Sequence, residues 1–198
     1  METKFPYSLL LASMSPRRRQ LLEMLDLPFT LAPRIDVDEA WPEALSPREV
    51  PLYLSQLKAK AYRKLMKPND LYITADTVVI LDNKVLGKPA DNDEAILMLE
   101  ALSGKTHEVV TGVTLSTTDR MESFSALTEV EFASIPADEI RTYVAKYHPL
   151  DKAGAYGIQE WIGAIGIRGI KGSFYNVMGL PVHRLWEALK AFQALSNG

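Results

Sequence analysis

In the first half of the chain, apolar residues follow the pattern of a buried strand in some segments and the spacing of a helix in others. This predicts alternating strands and helices. Residues 8–12 form a short apolar run that is typical of a buried strand. Ser15 and Pro16 then begin a helix, with the serine as N-cap and the proline in the first turn. A longer stretch at 71–81, rich in β-branched residues, predicts a second buried strand.

The rest of the chain continues this alternation. Further strands are predicted at 29–32, 84–86, 108–116, 123–133 and 163–170. Further helices are predicted from the capping box of Ser46 and Glu49 toward Met66, from residue 91 to about 103, at 136–146 and at 181–194. Strands that alternate with helices favour the α/β class with a mixed sheet. The length of 198 residues predicts a single domain over residues 1–198.

Composition and charge narrow the function classes. Hydrophobic residues make up 47% of the chain, as in ordinary globular proteins. The net charge of −3 argues against a nucleic-acid partner. The chain has no cysteine, which excludes disulfides and thiolate catalysis, and its three histidines lack a helical metal-binding spacing. Any metal would therefore sit on carboxylates, which favours Mg²⁺ or Mn²⁺.

Membrane insertion and secretion are both disfavoured. No segment approaches the roughly 18 consecutive apolar residues that a membrane helix needs. The apolar run at 9–12 is too short for a secretory signal and leads directly into three arginines. The sequence therefore predicts a cytoplasmic protein with no membrane partner.

The segment from Ser13 to Arg18 lies between an apolar strand and a helix start. Free backbone N–H groups at a helix N-terminus, together with two hydroxyls and the guanidiniums of Arg17 and Arg18, suit a polyphosphate. A capped helix with solvated arginines fits the same residues equally well. Spacing alone leaves both interpretations open.

Asp76 stands inside the strongest strand pattern, among Ile73, Val78 and Val79. A carboxylate in such a setting is costly unless it is paired, hydrogen-bonded or bound to a metal. It could hold Mg²⁺ or take a proton from a water molecule. The alternative is a carboxylate on the solvated face of an edge strand.

Other polar residues are ambiguous when taken one by one. Lys88, in a Gly-Lys-Pro turn, could reach an anion, but an exposed turn lysine is the more ordinary interpretation. Glu39 belongs to an acidic cluster with Asp36 and Asp38, which is typical of a solvated loop. Lys58 lies on the apolar stripe of the second helix, where lysines commonly extend their ammonium to solvent.

The segment 151–159 is rich in small residues and ends in Gln159. Its glycines allow a ligand to approach the backbone closely, and the glutamine amide can both donate to and accept from a nucleobase edge. A glycine-rich bend, with Asp151 and Lys152 as a structural ion pair, explains the same residues.

Six motifs in this order resemble the Maf family of nucleoside triphosphate pyrophosphatases, over residues 9 to 189. They are Ser13-x-Ser-Pro-Arg-Arg18, Ala75-Asp-Thr77, Gly87-Lys-Pro89, Leu102-Ser-Gly-x-Thr-His-x-Val109, Asp151-Lys-Ala-Gly-Ala-Tyr-Gly-Ile-Gln159 and Gly172-Ser-Phe-Tyr-Asn-Val-Met-Gly-Leu-Pro181. Each motif is weak alone, but six in order with similar gaps are specific.

The resemblance implies an inosine-triphosphatase-like α/β fold, with a long curved mixed β-sheet flanked by helices and two lobes around a cleft. It also implies cleavage between the α and β phosphates, with a divalent cation. Asp76 would be the proton acceptor and, with Glu39, would hold the metal; Glu39 is placed by its spacing from Lys58 and Asp76. The remaining implied substrate-binding positions are Ser13, Arg17, Arg18, Lys58, Thr77, Lys88 and Gln159.

The stretch that ends in Gln159 looks like the family branch acting on dTTP and UTP. Arg17, Thr77 and Gln159 would then determine specificity, and the product would be the nucleoside monophosphate. Met14 departs from the small residue that the family often has there, and we expect its side chain to turn away from the site.

Several alternatives remain beside this resemblance. One is a preference for modified pyrimidine nucleotides or for 7-methyl-GTP, and another is a nucleotide-binding regulator of septum formation without turnover. Apolar Trp161, Ile162 and Ile165, which stand between glycines, could form the surface of a homodimer.

Overall fold

A computed structural model describes residues 5–194, and its elements alternate as the hydrophobic pattern predicts. The strands are β1 (Ser8–Leu11), β2 (Phe29–Leu31), β3 (Asp70–Leu81), β4 (Lys84–Leu86), β5 (Thr106–Ser116), β6 (Met121–Phe132) and β7 (Ile167–Lys171). The α-helices are α1 (Pro16–Glu23), α2 (Val50–Tyr62), α3 (Asn92–Leu102), α4 (Ala137–Tyr147), α5 (Trp161–Gly166), α6 (Phe174–Met178) and α7 (Val182–Ala194). Short 3₁₀ turns occupy Arg63–Leu65, Pro149–Asp151 and Ala153–Ala155.

The strands form one mixed sheet in the order β2-β1-β3-β5-β6-β7, with β4 paired to β3. β1 runs parallel to both β2 and β3, whereas β4 and β7 run antiparallel to β3 and β6. Leu11 lies opposite Ile73, so β1 ends beside the first part of β3, which continues beyond it to Leu81. The predicted α/β class with a mixed sheet flanked by helices is confirmed.

Helix starts follow the predicted capping signals. Ser15 caps α1, because its side-chain oxygen accepts from the backbone N–H of Arg18 at 3.4 Å. The capping box predicted before α2 forms only in part: the Glu49 carboxylate accepts from the backbone N–H of Ser46 at 2.9 Å and from its hydroxyl at 2.6 Å, but the helix itself begins later, at Val50. These hydrogen bonds with Ser46 also lower the pKa of Glu49.

The described chain divides into two compact units, each with its own core. The first unit comprises residues 5–76, 111–126 and 179–194, and the second comprises residues 77–110 and 127–178. The largest fully buried side chains of the first unit include Leu11, Leu21, Leu22, Leu71, Ile73, Leu115 and Phe192. Those of the second unit include Leu99, Leu102, Phe132, Ile140 and Tyr143.

A buried hydroxyl network ties α2 to the sheet within the first unit. The Ser55 hydroxyl lies 2.8 Å from that of Thr114, and the Thr74 hydroxyl donates to the Ser55 carbonyl at 2.8 Å. Gly112 allows this approach, because a Cβ there would lie 2.4 Å from the carbonyl carbon of Pro51. The helix is therefore held in a definite register against β3 and β5.

The second unit buries a cluster of three rings. His107, Phe132 and Tyr156 pack edge to face, with ring centroids 4.9 to 5.4 Å apart. His107 Nε2 lies 2.7 Å from the Tyr156 hydroxyl. Burial lowers the pKa of His107 to about 4, so this imidazole is neutral at physiological pH.

The strand predicted at 163–170 is wrong in its first half. Residues 161–166 form α5, and only then does β7 begin. Gly163 packs so closely on the preceding chain that a Cβ there would lie 1.9 Å from the Ile158 carbonyl oxygen. The short helix α6 is a further difference, since the sequence pattern does not predict it.

The second predicted helix is also shorter than expected. It ends at Tyr62, and a 3₁₀ turn carries the chain on toward Met66. No helix within residues 5–194 combines the length and the apolar character needed to span a lipid bilayer.

Candidate functional site

A triad of charged side chains lies in the first unit. The Lys58 ammonium donates to Asp76 Oδ1 at 2.7 Å and lies 3.0 Å from Glu39 Oε2. The Lys58 and Asp76 side chains are only 16% and 13% exposed, whereas Glu39 is 53% exposed. The ammonium therefore balances a nearly buried carboxylate and a second one that faces solvent.

Long-range packing positions this triad. Asp76 is near the middle of β3, which is flanked by β1 and β5 in the sheet. Lys58 follows Ser55 by three residues on α2 and so shares the helix face that the hydroxyl network anchors. Two alternatives from the sequence are therefore wrong: Asp76 is not on a solvated edge strand, and the Lys58 ammonium is not extended into solvent.

Arg18 connects three chain segments of the same unit. Its Nε donates to the Gly179 carbonyl at 2.7 Å, and its terminal NH1 donates to the Ala75 carbonyl at 2.9 Å and to the Ser13 hydroxyl at 3.4 Å. Burial lowers the pKa of Arg18 and the charge of Arg17 adds to this, whereas the charges of Asp76 and Glu39 oppose it. The guanidinium is thus fixed just beyond the carboxyl end of β1, beside the part of β3 that carries Asp76.

The beginning of α1 is built from the predicted segment. The Ser13 side-chain oxygen accepts from the backbone N–H of Ser15 at 3.2 Å, so Ser13 and Ser15 both order the turn into the helix. Arg17 is half-buried in the first turn, and Met14 is 70% exposed. Ser13, Arg18, Lys58, Glu39 and Asp76 are thus linked in one unit by two sets of contacts.

Three other predicted residues belong to the second unit. Thr77 is half-buried on β3, and Lys88 is exposed in the loop that follows β4. That loop is tied to the glycine-rich segment, because the Gly154 N–H donates to the Gly87 carbonyl at 3.0 Å. Gln159 is exposed on the wall of an open pocket of about 420 Å³, whose other walls are mostly apolar.

The carboxylate pair fits a hard divalent cation. Because Asp76 Oδ1 and Glu39 Oε2 both lie within 3.0 Å of one nitrogen, they are no more than about 6 Å apart. Mg²⁺ typically uses one or two protein carboxylates, with water and phosphate oxygens as its other ligands. Residues 5–194 contain no group of three or more acidic or histidine side chains that could hold a metal, so substrate oxygens would have to complete the coordination.

Several residues that order these segments have no role predicted from the sequence. The Gly179 carbonyl holds Arg18, although the sequence shows only that Gly179 lies in the last motif. In the second unit, Tyr143 and Glu160 join the predicted pair of Asp151 and Lys152, whose atoms lie 2.8 Å apart. The run of small residues around Lys152 was the available signal, because it predicts a closely packed bend.

Comparisons with known proteins agree with the motif order. A family model described as Maf-like protein matches residues 8–192. A protein of Bacteroides thetaiotaomicron named dTTP/UTP pyrophosphatase is 53% identical over 184 residues, covering 93% of this chain and 95% of that protein. One of Porphyromonas gingivalis ATCC 33277 with the same name is 52% identical over 188 residues, covering 94% of each chain.

Among solved structures, a Ham1 protein of Staphylococcus aureus matches with a TM-score of 0.46 and 18% identity, covering 64% of this chain and 72% of that one. The α/β class rests on the strand order of the chain itself rather than on this distant likeness. The family model covers nearly all of the described residues and confirms the family expected from the six motifs. The chain belongs to the Maf-like protein family.

Proposed function

We propose that this protein hydrolyses dTTP and UTP between the α and β phosphates, releasing pyrophosphate and the nucleoside monophosphate. Relatives that share about half of its residues over nearly their whole length bear the name dTTP/UTP pyrophosphatase. The observation that carries the proposal is the nearly buried Asp76 carboxylate, which meets the Lys58 ammonium at 2.7 Å beside the carboxylate of Glu39. This arrangement provides a base and a cation in one place.

The chain's cations bind the substrate. A triphosphate carries about four negative charges, which Arg17, Arg18, Lys58 and Lys88 offset in this proposal. Arg18 already has a fixed position through its bonds to two backbone carbonyls, so little reorganisation is needed when phosphate binds. The Ser13 hydroxyl and the amide groups at the start of α1 add donors for phosphate oxygens.

Asp76 accepts the proton of the water that attacks the α-phosphorus. Lys58 holds the Asp76 carboxylate in a single orientation through its 2.7 Å bond, and the orientation of a general base controls its effectiveness. The expelled pyrophosphate is stabilised by the same lysines and arginines. Since water is the nucleophile, no covalent intermediate is required.

Asp76 and Glu39 would hold a divalent cation, Mg²⁺ or Mn²⁺. When bound, this ion supplies positive charge that neutralises phosphate oxygens. Thr77 and Gln159 hydrogen-bond the pyrimidine, and a site built for its carbonyl and N–H groups rejects bases that leave those partners unpaired. The activity would remove dTTP, UTP or modified pyrimidine triphosphates from cytoplasmic nucleotide pools.

A triphosphate panel tests the proposal. The purified chain is incubated with dTTP, UTP, their purine counterparts and 7-methyl-GTP, and pyrophosphate is measured with Mg²⁺, with Mn²⁺ and with EDTA. We expect pyrophosphate from dTTP and UTP in the presence of either metal, and only the background rate with EDTA.

The identity of the phosphate product and the preferred nucleobase distinguish this proposal from its alternatives. Release of inorganic phosphate instead of pyrophosphate would contradict cleavage at the α-phosphorus. A preference for 7-methyl-GTP would contradict the role assigned to Gln159. Tight binding of dTTP without product over hours would favour a regulator without turnover.

A further inference from the structure

The structure places an unusual buried charge next to Gln159. Lys152 is only 9% exposed at its side chain and forms ion pairs with Asp151 at 2.8 Å and with Glu160 at 3.2 Å. Buried ion pairs add little net stability, since desolvation offsets their attraction. Hydrophobic packing alone could close this bend, so the charged arrangement calls for another explanation.

Tyr143 on α4 completes the arrangement from the opposite side. Its hydroxyl donates to Glu160 Oε2 and accepts from the backbone N–H of Gly157 at 3.2 Å. Burial, reinforced by the bond to Glu160, raises the pKa of Tyr143, so the hydroxyl keeps its proton at neutral pH. Glu160 therefore uses both of its oxygens, one for Tyr143 and one for Lys152.

The backbone on either side of Gln159 is also held by close contacts. A Cβ on Gly157 would lie 2.7 Å from the Glu160 carboxyl carbon, so that side chain folds directly over the glycine. Gly163 packs against the Ile158 carbonyl oxygen, and its N–H donates to the Glu160 carbonyl at 3.0 Å. Gln159 itself is exposed, whereas Gly157, Ile158 and Glu160 beside it are held by these contacts.

We propose that Tyr143, Lys152 and Glu160 form a positioning cluster that fixes the backbone at Gln159 and so presents its amide for reading the pyrimidine base. The inference rests on the proposed function, in which Gln159 contacts the base. A glutamine on a flexible loop would pay the cost of ordering its backbone each time a base binds, whereas the backbone that carries Gln159 is already anchored. The cluster should therefore affect binding and base selection more than the chemical step.

Tyr143→Phe tests the cluster, because it removes the hydroxyl and keeps the ring. We expect KM for dTTP and UTP to rise about ten-fold with kcat within about two-fold, the pattern of lost uniform binding. Gly157→Ala should reproduce this effect by displacing Glu160 without removing a polar group. Tyr147→Phe is the matched control, since it removes a hydroxyl one turn along α4, from the ring stacked on Tyr143, and should leave both constants unchanged.

A double-mutant cycle with Gln159→Ala shows whether the cluster acts through that amide. If it does, adding Tyr143→Phe to Gln159→Ala leaves KM within about two-fold of the Gln159→Ala value. Independent, multiplying effects on KM would overturn the proposal. A loss of kcat with unchanged KM would overturn it as well.

Amide hydrogen exchange provides a readout that does not depend on catalysis. In Tyr143→Phe we expect residues 157–160 to exchange at least about ten times faster, with the core of β3 unchanged. If the wild-type chain releases no pyrophosphate, the proposed function fails while this measurement still tests the anchoring of Gln159. Unaltered exchange at residues 157–160 would refute the cluster whatever the activity.

Discussion

Replacing Lys58 with methionine isolates the electrostatic centre of the first unit. Methionine keeps an unbranched apolar stem of similar length but removes the ammonium that lies between Asp76 and Glu39. Asp76, whose side chain is 13% exposed, then lacks its ion-pair partner, although the charge of Arg18 still interacts with it. We expect the variant to fold and to be less stable than the wild type.

The size of the effect follows from the exposure of each partner. A hydrogen bond to a charged group typically contributes about 1.5–3 kcal/mol, and the 2.7 Å contact with Asp76 is nearly buried. The pair with the half-exposed Glu39 adds less than about 1 kcal/mol, because solvent screens it. The expected loss is about 2–3 kcal/mol, or about 4–12 °C in Tm for a chain of this size.

Urea unfolding and thermal melts of Lys58→Met measure this loss directly. Lys60→Met, which removes an exposed lysine from the same helix, is the control and should stay within about 0.5 kcal/mol of wild type. A cycle with Asp76→Asn should show a coupling above about 1 kcal/mol. A Lys58→Met variant as stable as its control, or strictly additive changes in the cycle, would refute the assigned pairing.

Three further predictions concern the base, a buried imidazole and a tight helix contact. Asp76→Asn should lower turnover at least about a hundred-fold with the fold intact, measured by pyrophosphate release and circular dichroism, and near-normal turnover would rule out its role as base. Burial lowers the pKa of His107 to about 4 in the folded state, from an ordinary 6.5. The neutral imidazole therefore contributes its full stability above pH 6.5, and this contribution, about 3 kcal/mol in all, is lost as the pH falls toward 4. His107→Gln should flatten the dependence of the urea unfolding free energy on pH over that range, and an unchanged slope would contradict this. Gly112→Ala should lower the free energy of unfolding in urea by about 1–3 kcal/mol, since its Cβ would lie 2.4 Å from Pro51 backbone atoms. Gly87→Ala is the control in the same measurement, because the space around Gly87 is open.

Local patterns predicted most of the helices and strands correctly. Ser15 with Pro16 and the capping box before α2 satisfy backbone groups within one turn, so neighbouring residues are enough to recognise them. The prediction failed at 163–166, where two glycines and one isoleucine resemble the start of a strand. There the close contact of Gly163 with Ile158 favours a helix, and single-residue propensity contains no information about that contact.

The candidate site could be predicted only in part from the sequence. The motif order named Ser13, Arg18 and Asp76, and in the structure Arg18 joins Ser13 to the backbone of β3 next to Asp76. Periodicity left the role of Lys58 open, since an apolar stripe on a helix does not show which groups the lysine ammonium contacts. The cluster around Glu160 escaped prediction, because its members come from α4 and from two separate bends.

Short-range chemistry along the chain was thus sufficient for the α/β class, the helix caps and the motifs that indicate the family. Which charges meet depended on long-range packing: a hydroxyl network that sets α2 against β3 brings Lys58 to Asp76, and α4 brings Tyr143 to Glu160. The physical reason is that capping and periodicity satisfy neighbouring residues, whereas the cost of burying a carboxylate or an ammonium is offset only by a partner that folding brings from elsewhere in the chain.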